Sequence, residues 1–443
     1  MGASRPPRRL TARFSVSGGH PQLLQLSCQA LLDGHSVTHR LARELPDEAA
    51  DLIEIAVSVH AIDRLVRRPS TQPARAGASW ARDLWAQVPV RQPWLWSAHA
   101  RLLTELLTWL TDDSWSLEFC QLPEGAGPLD ESQGFLFDTV PGDSVPVLFS
   151  GGLDSAAGLA AHLLGSNAVA ISVDTNNWMQ HVQARVLSGL QAVSDHQCVP
   201  LRYRVSVGRS SVETSQRSRG LLFLAVGIAT AWALRQDRLR VFENGIGAIN
   251  LPYLRSQFGS QATRSMHPRT LRLMEQLAAA ISSRPFHLEA PALNTTKAQI
   301  IETVPTIAEP ALALTVSCDT GFSARVRDHA PCGACTSCLL RRQALHAAGK
   351  TDLDKADAYR YSSPMRSVAL QAMLWQAARI RACLDQADPW TALLSEFPEI
   401  LDTAPLAPAD VTSLYRSYIR EWDSIQSSFP VSSQLGRQGK AAL

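Results

Sequence analysis

The hydrophobic positions of this chain change their period along its length. Residues 13–16 alternate as in a short β-strand, and apolar residues recur at helical spacing from Asp51 to Arg68. Six of the eleven tryptophans lie between Trp80 and Trp115, and such aromatic groups usually fill a core. The pattern predicts an accessory α+β domain over residues 1–120, to which we assign no chemistry.

A stretch rich in glycine and proline follows. Residues 121–144 contain three prolines and four glycines, a density typical of a linker. We therefore expect the accessory domain to end near residue 120 and a second domain to begin at residue 145.

From residue 145 the pattern alternates between short apolar strands and helices. A strand over residues 145–149 leads through a tight turn into a helix and then into the strand from Ala168 to Asp174. Helices over 220–234 and 270–281, each followed by a short strand, continue the alternation. This succession predicts a doubly wound parallel α/β sheet over residues 145–350.

After about residue 361 the apolar positions again recur at helical spacing. They predict helices within residues 367–384 and 409–422. We therefore expect a helical extension over residues 351–430 and a disordered tail over 431–443.

Composition limits the class of protein. Lysine plus arginine (42) nearly balance aspartate plus glutamate (40), so no overall field attracts nucleic acid, and a nucleic-acid partner is not expected. The first residues contain no apolar stretch of the kind that a signal peptide has. The longest apolar run, about residues 220–233, is too short to cross a bilayer. We expect a cytoplasmic protein with no membrane partner.

The turn at residues 150–155 reads Ser-Gly-Gly-Leu-Asp-Ser and is called here the SGGLDS loop. Its glycines let the backbone approach a phosphate, and free amides at a helix start attract anions. No Gly-Lys-Ser/Thr follows, which excludes a Walker A loop. We expect Asp154 to lie in this loop without filling a core site.

The loop resembles the SGGxDS signature of the PP-loop ATP pyrophosphatases, which split ATP between the α and β phosphates. The resemblance implies a PP-loop (HUP-like) sheet with ATP and Mg²⁺ as cofactors, and an Asp154 that organises the loop and the metal-bound pyrophosphate. The residues expected around ATP are the loop and the end of the next strand: Ser150, Gly151, Gly152, Leu153, Asp154, Ser155 and Asp174.

Four cysteines fall within one short segment. Cys332, Cys335 and Cys338 form two successive Cys-x-x-Cys steps, and Cys318 lies upstream with thirteen residues between. This spacing is typical of a tetrahedral four-thiolate site, with zinc as the default metal. An iron–sulfur cluster stays open as an alternative, because thiolate spacing does not distinguish the two, and so do four cysteines that bind no metal.

The residues around these cysteines resemble the C-terminal zinc region of QueC, the 7-cyano-7-deazaguanine synthase family. The likeness rests on Thr315-Val-Ser-Cys, the cysteine steps with Arg341, the upstream Thr296-Lys297 segment and the turn from Gln216 to Arg219, and it spans about residues 145–350. It implies that ATP activates the carboxylate of 7-carboxy-7-deazaguanine as an adenylate, that ammonia gives an amide, and that a second ATP dehydrates the amide to a nitrile. Asp154, Lys297 and Arg219 would then be the catalytic residues.

Two segments depart from this family. Residues 175–181 stand where QueC proteins usually have a Tyr-Gly-Gln-Arg-His-like sequence, and residues 243–252 replace a Tyr-Pro-Asp-type segment. Glu243 is a candidate for substrate binding, since a carboxylate at a strand end can accept hydrogen bonds from a guanine-like edge. A solvated strand-end carboxylate is equally compatible with the sequence.

The added domains resemble those of long QueC-like proteins in bacterial anti-phage defence operons, such as QatC of the Qat system. That likeness implies a ligase that forms an amide between a 7-deazaguanine carboxylate and an amine on a partner protein of the same operon; a homodimer stays open. The alternatives are a 7-cyano-7-deazaguanine synthase and a tRNA-thiolating PP-loop enzyme, which needs a sulfur-accepting cysteine near the loop, with Cys198 as the nearby candidate. A nucleotide-sensing scaffold is disfavoured because the SGGLDS loop is intact.

Overall fold

The computed structural model describes residues 9–16, 22–27, 45–68, 81–123, 140–174, 177–205, 211–213, 215–254, 263–319, 330–355, 359–361 and 367–425, with the backbone alone for 9–16, 22–27, 174 and 177. The predicted tail over 431–443 and the middle of the predicted linker lie outside the described residues. Elements are numbered along the described part of the chain.

A mixed four-stranded sheet forms the N-terminal part, with strand order β2-β1-β3-β4. Strand β1 pairs antiparallel with β2 and β3, and β3 pairs parallel with β4. The strands are β1 Arg9–Val16, β2 Gln22–Ser27, β3 Arg82–Val90 and β4 Ser114–Gln121. Within the described residues, three helices connect them: α1 Asp47–Leu65, α2 Pro93–Ala98 and α3 Ala100–Thr111. The prediction of an α+β fold for this part is confirmed.

The second sheet has five parallel strands in the order β7-β6-β5-β8-β9. The strands are β5 Val145–Leu148, β6 Ala168–Asp174, β7 Cys198–Arg204, β8 Arg238–Val241 and β9 His287–Glu289. The helices between them are α4 Leu153–His162, α5 Asn177–Gln191, α6 Arg219–Ala233, α7 Gly245–Ile249 and α8 Pro268–Ser282. The predicted doubly wound α/β sheet is confirmed.

Both faces of strands β5 and β6 are buried, which explains why these two strands are nearly continuous apolar runs. Leu148 and Ile171 point to the face that packs against α6 and α8. Val147 and Ala170 point to the opposite face, which packs against α4 and α5. Since β5 lies in the centre, with β6 on one side and β8 on the other, the chain reverses its winding direction there.

Helix α1 lies between the two sheets. Its first turn carries Asp47 and Glu48 and its last turn Arg64, the charges that the helix dipole favours at those ends. Residues from Ala49 to Asp63 are buried all round the helix, because α1 packs against both the N-terminal strands and α6 in one hydrophobic core. The N-terminal part thus shares a core with the parallel sheet, and the domain boundary at residue 120 stays a prediction.

The C-terminal helices pack against one another and against the cysteine-bearing region. They are α9 Lys297–Glu302, α10 Glu309–Leu312, α11 Thr336–Ala347, α12 Val368–Leu384, α13 Pro389–Glu396 and α14 Pro408–Ile425. Helices α12 to α14 form a separate core that includes Ile246 of α7 and Leu339 of α11. The predicted helical C-terminus is confirmed. Among the described helices, none combines the length and the apolar character that a membrane crossing requires.

Candidate active site and thiolate cluster

The SGGLDS loop lies at the carboxyl end of β5, at the switch point where ligands of open α/β sheets bind. Gly151 has a φ of +81°, and a Cβ there would lie 2.9 Å from Cγ of Gln183, so glycine is required. The hydroxyl oxygens of Ser150 and Ser155 are 3.1 Å apart, and Ser150 Oγ accepts a hydrogen bond from the amide of Gly152 at 3.2 Å. The loop is therefore compact and presents hydroxyls and amides together.

A second segment lies directly beside this loop. The amide of Val316 donates to the carbonyl of Gly151 at 3.3 Å, and the amide of Leu153 donates to Oγ of Ser317 at 3.4 Å. Cys318 follows at once in the sequence. The start of the cysteine-bearing region is thus hydrogen-bonded to the SGGLDS loop.

Three residues that are distant in sequence meet at the start of α4. Asp154 Oδ2 accepts from Lys297 Nζ at 2.6 Å, across 143 positions of sequence, and from Asn244 Nδ2 at 2.9 Å. The charged side chains are each 8 % exposed, so this is a buried ion pair rather than a loop carboxylate in solvent. The other oxygen, Asp154 Oδ1, is buried without a hydrogen-bond partner. The expectation that Asp154 fills no buried site is wrong.

The orientation of Lys297 is set by the start of α9. Thr296 caps this helix in a capping box with Gln299, which makes Lys297 the first helical residue. Glu421 of α14 accepts hydrogen bonds from the Thr296 hydroxyl and from Gln343 of α11. The C-terminal extension therefore touches the residue next to Lys297.

Glu243 lies beside this ion pair, two residues after β8 ends. Its Oε1 accepts from Asn244 Nδ2 at 3.3 Å. Burial and the neighbouring Asp154 carboxylate raise the pKa of Glu243 to about 8, against the opposing effect of Lys297. Glu243 is therefore largely protonated at neutral pH in the protein without ligand, unlike a solvated strand-end carboxylate.

A cleft of about 510 Å³ joins these groups, and its walls include Ser150, Asp154, Arg219, Glu243 and Lys297. Arg219 is the first residue of α6, with its guanidinium carbon 4.8 Å from the centre of the Phe223 ring. Burial, followed by repulsion from Arg64, lowers its pKa to about 10, so it remains a cation. An apolar pocket adjoins the cleft and shares Arg219 and Glu243 with it; Leu148, Ile171, Val173, Phe223 and Met266 line this pocket.

The structure thus brings the predicted loop, Lys297, Arg219 and Glu243 to one cleft. Asp174, which was predicted to contact the nucleotide, is the last residue of β6, and its side chain lies outside the described part. Sequence reasoning missed Asn244 and Ser317. Asn244 caps α7 by accepting from the amide of Gly247 at 2.9 Å, and an asparagine between a strand and glycines is a signal for such a cap. Ser317 belongs to the Thr315-Val-Ser-Cys motif, but nothing in that motif indicates that its hydroxyl meets the SGGLDS loop.

The four cysteines converge as predicted. The sulfur atoms of Cys318, Cys332, Cys335 and Cys338 all lie within 4.8 Å of one another, and tetrahedral zinc with bonds of about 2.3 Å places thiolates about 3.8 Å apart. Backbone amides point at the sulfurs: Cys332 N donates to Cys318 Sγ at 3.2 Å and Cys335 N to Cys332 Sγ at 3.2 Å. The donor set fits a metal ion such as zinc.

Helix α11 connects this cluster to the SGGLDS loop. It begins directly after Cys335, which caps it. Arg341, six residues after Cys335 and 5 % exposed, donates to the Thr315 hydroxyl at 2.5 Å and to the Leu312 carbonyl at 3.3 Å. Metal binding would therefore hold both the helix and the segment that touches the loop.

Cys198 is not near the loop. It starts β7 and pairs with Ala168 at the start of β6, whereas the SGGLDS loop follows the end of β5. Burial raises the pKa of Cys198 to about 12. The expectation that Cys198 lies close enough to accept sulfur is wrong, because parallel strands place their starts and ends at opposite edges of a sheet.

A five-stranded parallel sheet with a glycine-rich loop at its switch point defines an α/β protein with a ligand cleft at that edge. Residues 265–349 match the family model described as "Queuosine biosynthesis protein QueC". The chain is 30 % identical over 234 residues to a 7-cyano-7-deazaguanine synthase of Anaeromyxobacter sp., covering 46 % of this chain and 93 % of the relative. It is 33 % identical over 225 residues to the 7-cyano-7-deazaguanine synthase of Methylobacillus flagellatus, which again covers 46 % of this chain and 93 % of the relative. The chain belongs to the QueC family, and the similarity covers less than half of it.

Proposed function

We propose that this protein uses ATP to activate the carboxylate of a 7-deazaguanine, 7-carboxy-7-deazaguanine, and then joins nitrogen to it. The name of its relatives, 7-cyano-7-deazaguanine synthase, describes the product of this chemistry. The observation that carries the proposal is the cleft in which the SGGLDS loop meets Lys297, Arg219 and Glu243.

In the first step a carboxylate oxygen of the substrate attacks the α-phosphorus of ATP and pyrophosphate leaves. The loop residues Ser150 to Ser155 hold the phosphates through amides and hydroxyls. Lys297 and Arg219 stabilise the negative charge that develops on the phosphate oxygens. The apolar pocket beside Arg219 is suited to the flat adenine base.

Mg²⁺ enters this proposal through Asp154. Its Oδ1 is buried without a hydrogen-bond partner, and carboxylate oxygens are the protein ligands that Mg²⁺ prefers. A bound Mg²⁺ would neutralise part of the phosphate charge. The carboxylate would meanwhile keep Lys297 oriented through Oδ2.

Glu243 is proposed to bind the deazaguanine edge. Its pKa near 8 means that a proton occupies it at neutral pH, whereas accepting from two neighbouring N–H donors of a guanine-like edge, one at each oxygen, uses the ionised form. We therefore expect substrate binding between pH 7 and 8 to release a proton. Calorimetry in buffers of different ionisation enthalpy measures that proton.

In the second step a nitrogen nucleophile attacks the carbonyl carbon of the adenylate and AMP leaves, which gives an amide. With ammonia, dehydration by a second ATP yields the nitrile, as the relatives' name indicates. A second candidate acceptor is an amine on a partner protein, in an anti-phage defence setting. One observation favours it: more than half of this chain lies outside the similarity to the synthases, and ammonia needs no docking surface.

The test supplies purified protein with ATP, ammonium and 7-carboxy-7-deazaguanine and measures AMP, pyrophosphate and free 7-cyano-7-deazaguanine. AMP together with the free nitrile supports the synthase. AMP formation without nitrile, together with a deazapurine-sized mass gain on a co-expressed operon neighbour, supports the protein acceptor. ADP as the nucleotide product contradicts both.

Thiolation of tRNA is disfavoured as a function. Among the described cysteines outside the thiolate cluster, the candidate Cys198 lies at the opposite edge of the sheet from the loop. Stoichiometric iron with acid-labile sulfide in purified protein would nevertheless reinstate thiolation, since such clusters occur at four-cysteine sites.

A further inference from the structure

The residue that precedes Arg219 is held by the N-terminal part of the chain. Ser218 is fully buried, and Asp63 of α1 accepts through Oδ2 from both the Ser218 amide at 3.1 Å and the Ser218 hydroxyl at 2.8 Å. His60, one turn earlier on α1, places Nδ1 3.1 Å from the same hydroxyl. Three contacts from one helix therefore fix the start of α6, whose first residue is Arg219.

Asp63 is itself held rigidly. Its Oδ1 accepts from Arg82 Nη2 at 2.6 Å, and Arg82 also binds Asp113 through Nη2 at 2.6 Å, with all three side chains fully buried. Burial opposes ionisation of Asp63, but the Arg82 guanidinium outweighs it and holds the pKa of Asp63 below its usual value. A buried charge network of this kind leaves its members little freedom to move.

Further contacts fix the segments on either side. Arg64 donates to the carbonyls of Glu213 at 2.6 Å and Ser215 at 3.0 Å. Asp112, after α3, binds both Arg217 and Arg264 at 2.5 Å. The sequence neighbours of these two arginines line the cleft: Gln216 precedes Arg217, and Ser265 and Met266 follow Arg264.

We propose that the N-terminal part completes the nucleotide cleft, with Asp63 and Ser218 as positioning residues that aim Arg219. This inference rests on the proposed role of Arg219 in adenylation. Neither Asp63 nor Ser218 lines the cleft, so both act through Arg219 and touch no substrate. A cation that is correctly placed stabilises the transition state far better than one displaced by an ångström.

The test uses the full chain and steady-state AMP formation from ATP and 7-carboxy-7-deazaguanine with ammonium. Ser218→Ala removes the hydroxyl and keeps the backbone amide that Asp63 binds. We expect kcat to fall about tenfold or more while KM for ATP changes less than about threefold, because misplacing a transition-state contact lowers kcat. The matched control is Ser58→Ala, a buried serine on α1 itself, which should keep wild-type kcat and a similar melting temperature.

A double variant separates positioning from general damage. If Ser218 acts through Arg219, the double variant Ser218→Ala with Arg219→Ala has the kcat of Arg219→Ala alone, since the second change has nothing left to misplace. Losses that multiply in the double variant overturn the positioning role and leave the proposed function standing. Wild-type kcat for Arg219→Ala overturns the proposed role of Arg219 and this inference with it.

Discussion

The ion pair between Asp154 and Lys297 allows a quantitative test of how the cleft is built. Nζ and Oδ2 are 2.6 Å apart, and each side chain is 8 % exposed. Removing one partner leaves the other charge buried and uncompensated, which typically costs about 3–5 kcal/mol. Replacing both by neutral side chains of similar size costs much less, because neither desolvation penalty remains.

We therefore expect Asp154→Asn and Lys297→Met each to lower the free energy of unfolding by about 3 kcal/mol, and the double variant to recover most of that loss. With a urea dependence of about 3 kcal/mol/M for a large chain, each single change lowers the unfolding midpoint by about 1 M. Lys350→Met is the control, since Lys350 pairs with Glu309 at 2.5 Å but is 28 % exposed. Its cost should stay within about 1 kcal/mol.

The assay is urea unfolding of all four variants beside wild type, followed by AMP formation. Single variants within about 0.5 kcal/mol of wild type, or a double variant whose loss equals the sum of the singles, would refute the buried-pair reasoning. Activity is a separate readout: the double variant should fold and form no AMP, because the carboxylate proposed to bind Mg²⁺ and one of the two cations proposed to stabilise the phosphate charge are gone. Wild-type AMP formation by the double variant would contradict the proposed catalytic role of the pair.

Three further changes are predicted. Wild-type protein should carry about one zinc per chain by elemental analysis, and Cys335→Ser should lose it and melt at lower temperature; iron in its place would contradict this. Folding raises the pKa of Glu243 to about 8, so the stability that its proton contributes is complete below about pH 4.5 and disappears as pH rises towards 8. The melting temperature of Glu243→Gln should therefore depend less on pH than that of wild type. Equal pH dependence of the two proteins would count against the raised pKa. Gly151 has a φ of +81°, and an added Cβ would lie 2.9 Å from a side-chain carbon, so Gly151→Ala should raise KM for ATP and lower stability by about 1–2 kcal/mol. The control is Gly142→Ala, whose added Cβ has no atom within 4 Å and which should match wild type in both assays.

Sequence alone predicted much of the fold. The apolar run over residues 168–174 coincides with β6, and the helical spacing over 367–384 predicted α12 to within one residue. These predictions succeed because a strand buried on both faces is apolar throughout, while a helix buried on one face has a period of 3.6 residues. The thiolate cluster was also predictable, since three of its ligands lie within seven residues and are joined by local amide–sulfur hydrogen bonds.

Only the tertiary structure decided which residues meet. Asp154 and Lys297 lie 143 positions apart, and nothing in their local sequences indicates that they form a buried pair. The partnership of Asp63 with Ser218 and the distance of Cys198 from the loop likewise depend on strand order and on the packing of α1 against α6. Periodicity along a chain determines which face of an element is buried, but the element that covers this face is chosen by the packing of the whole chain.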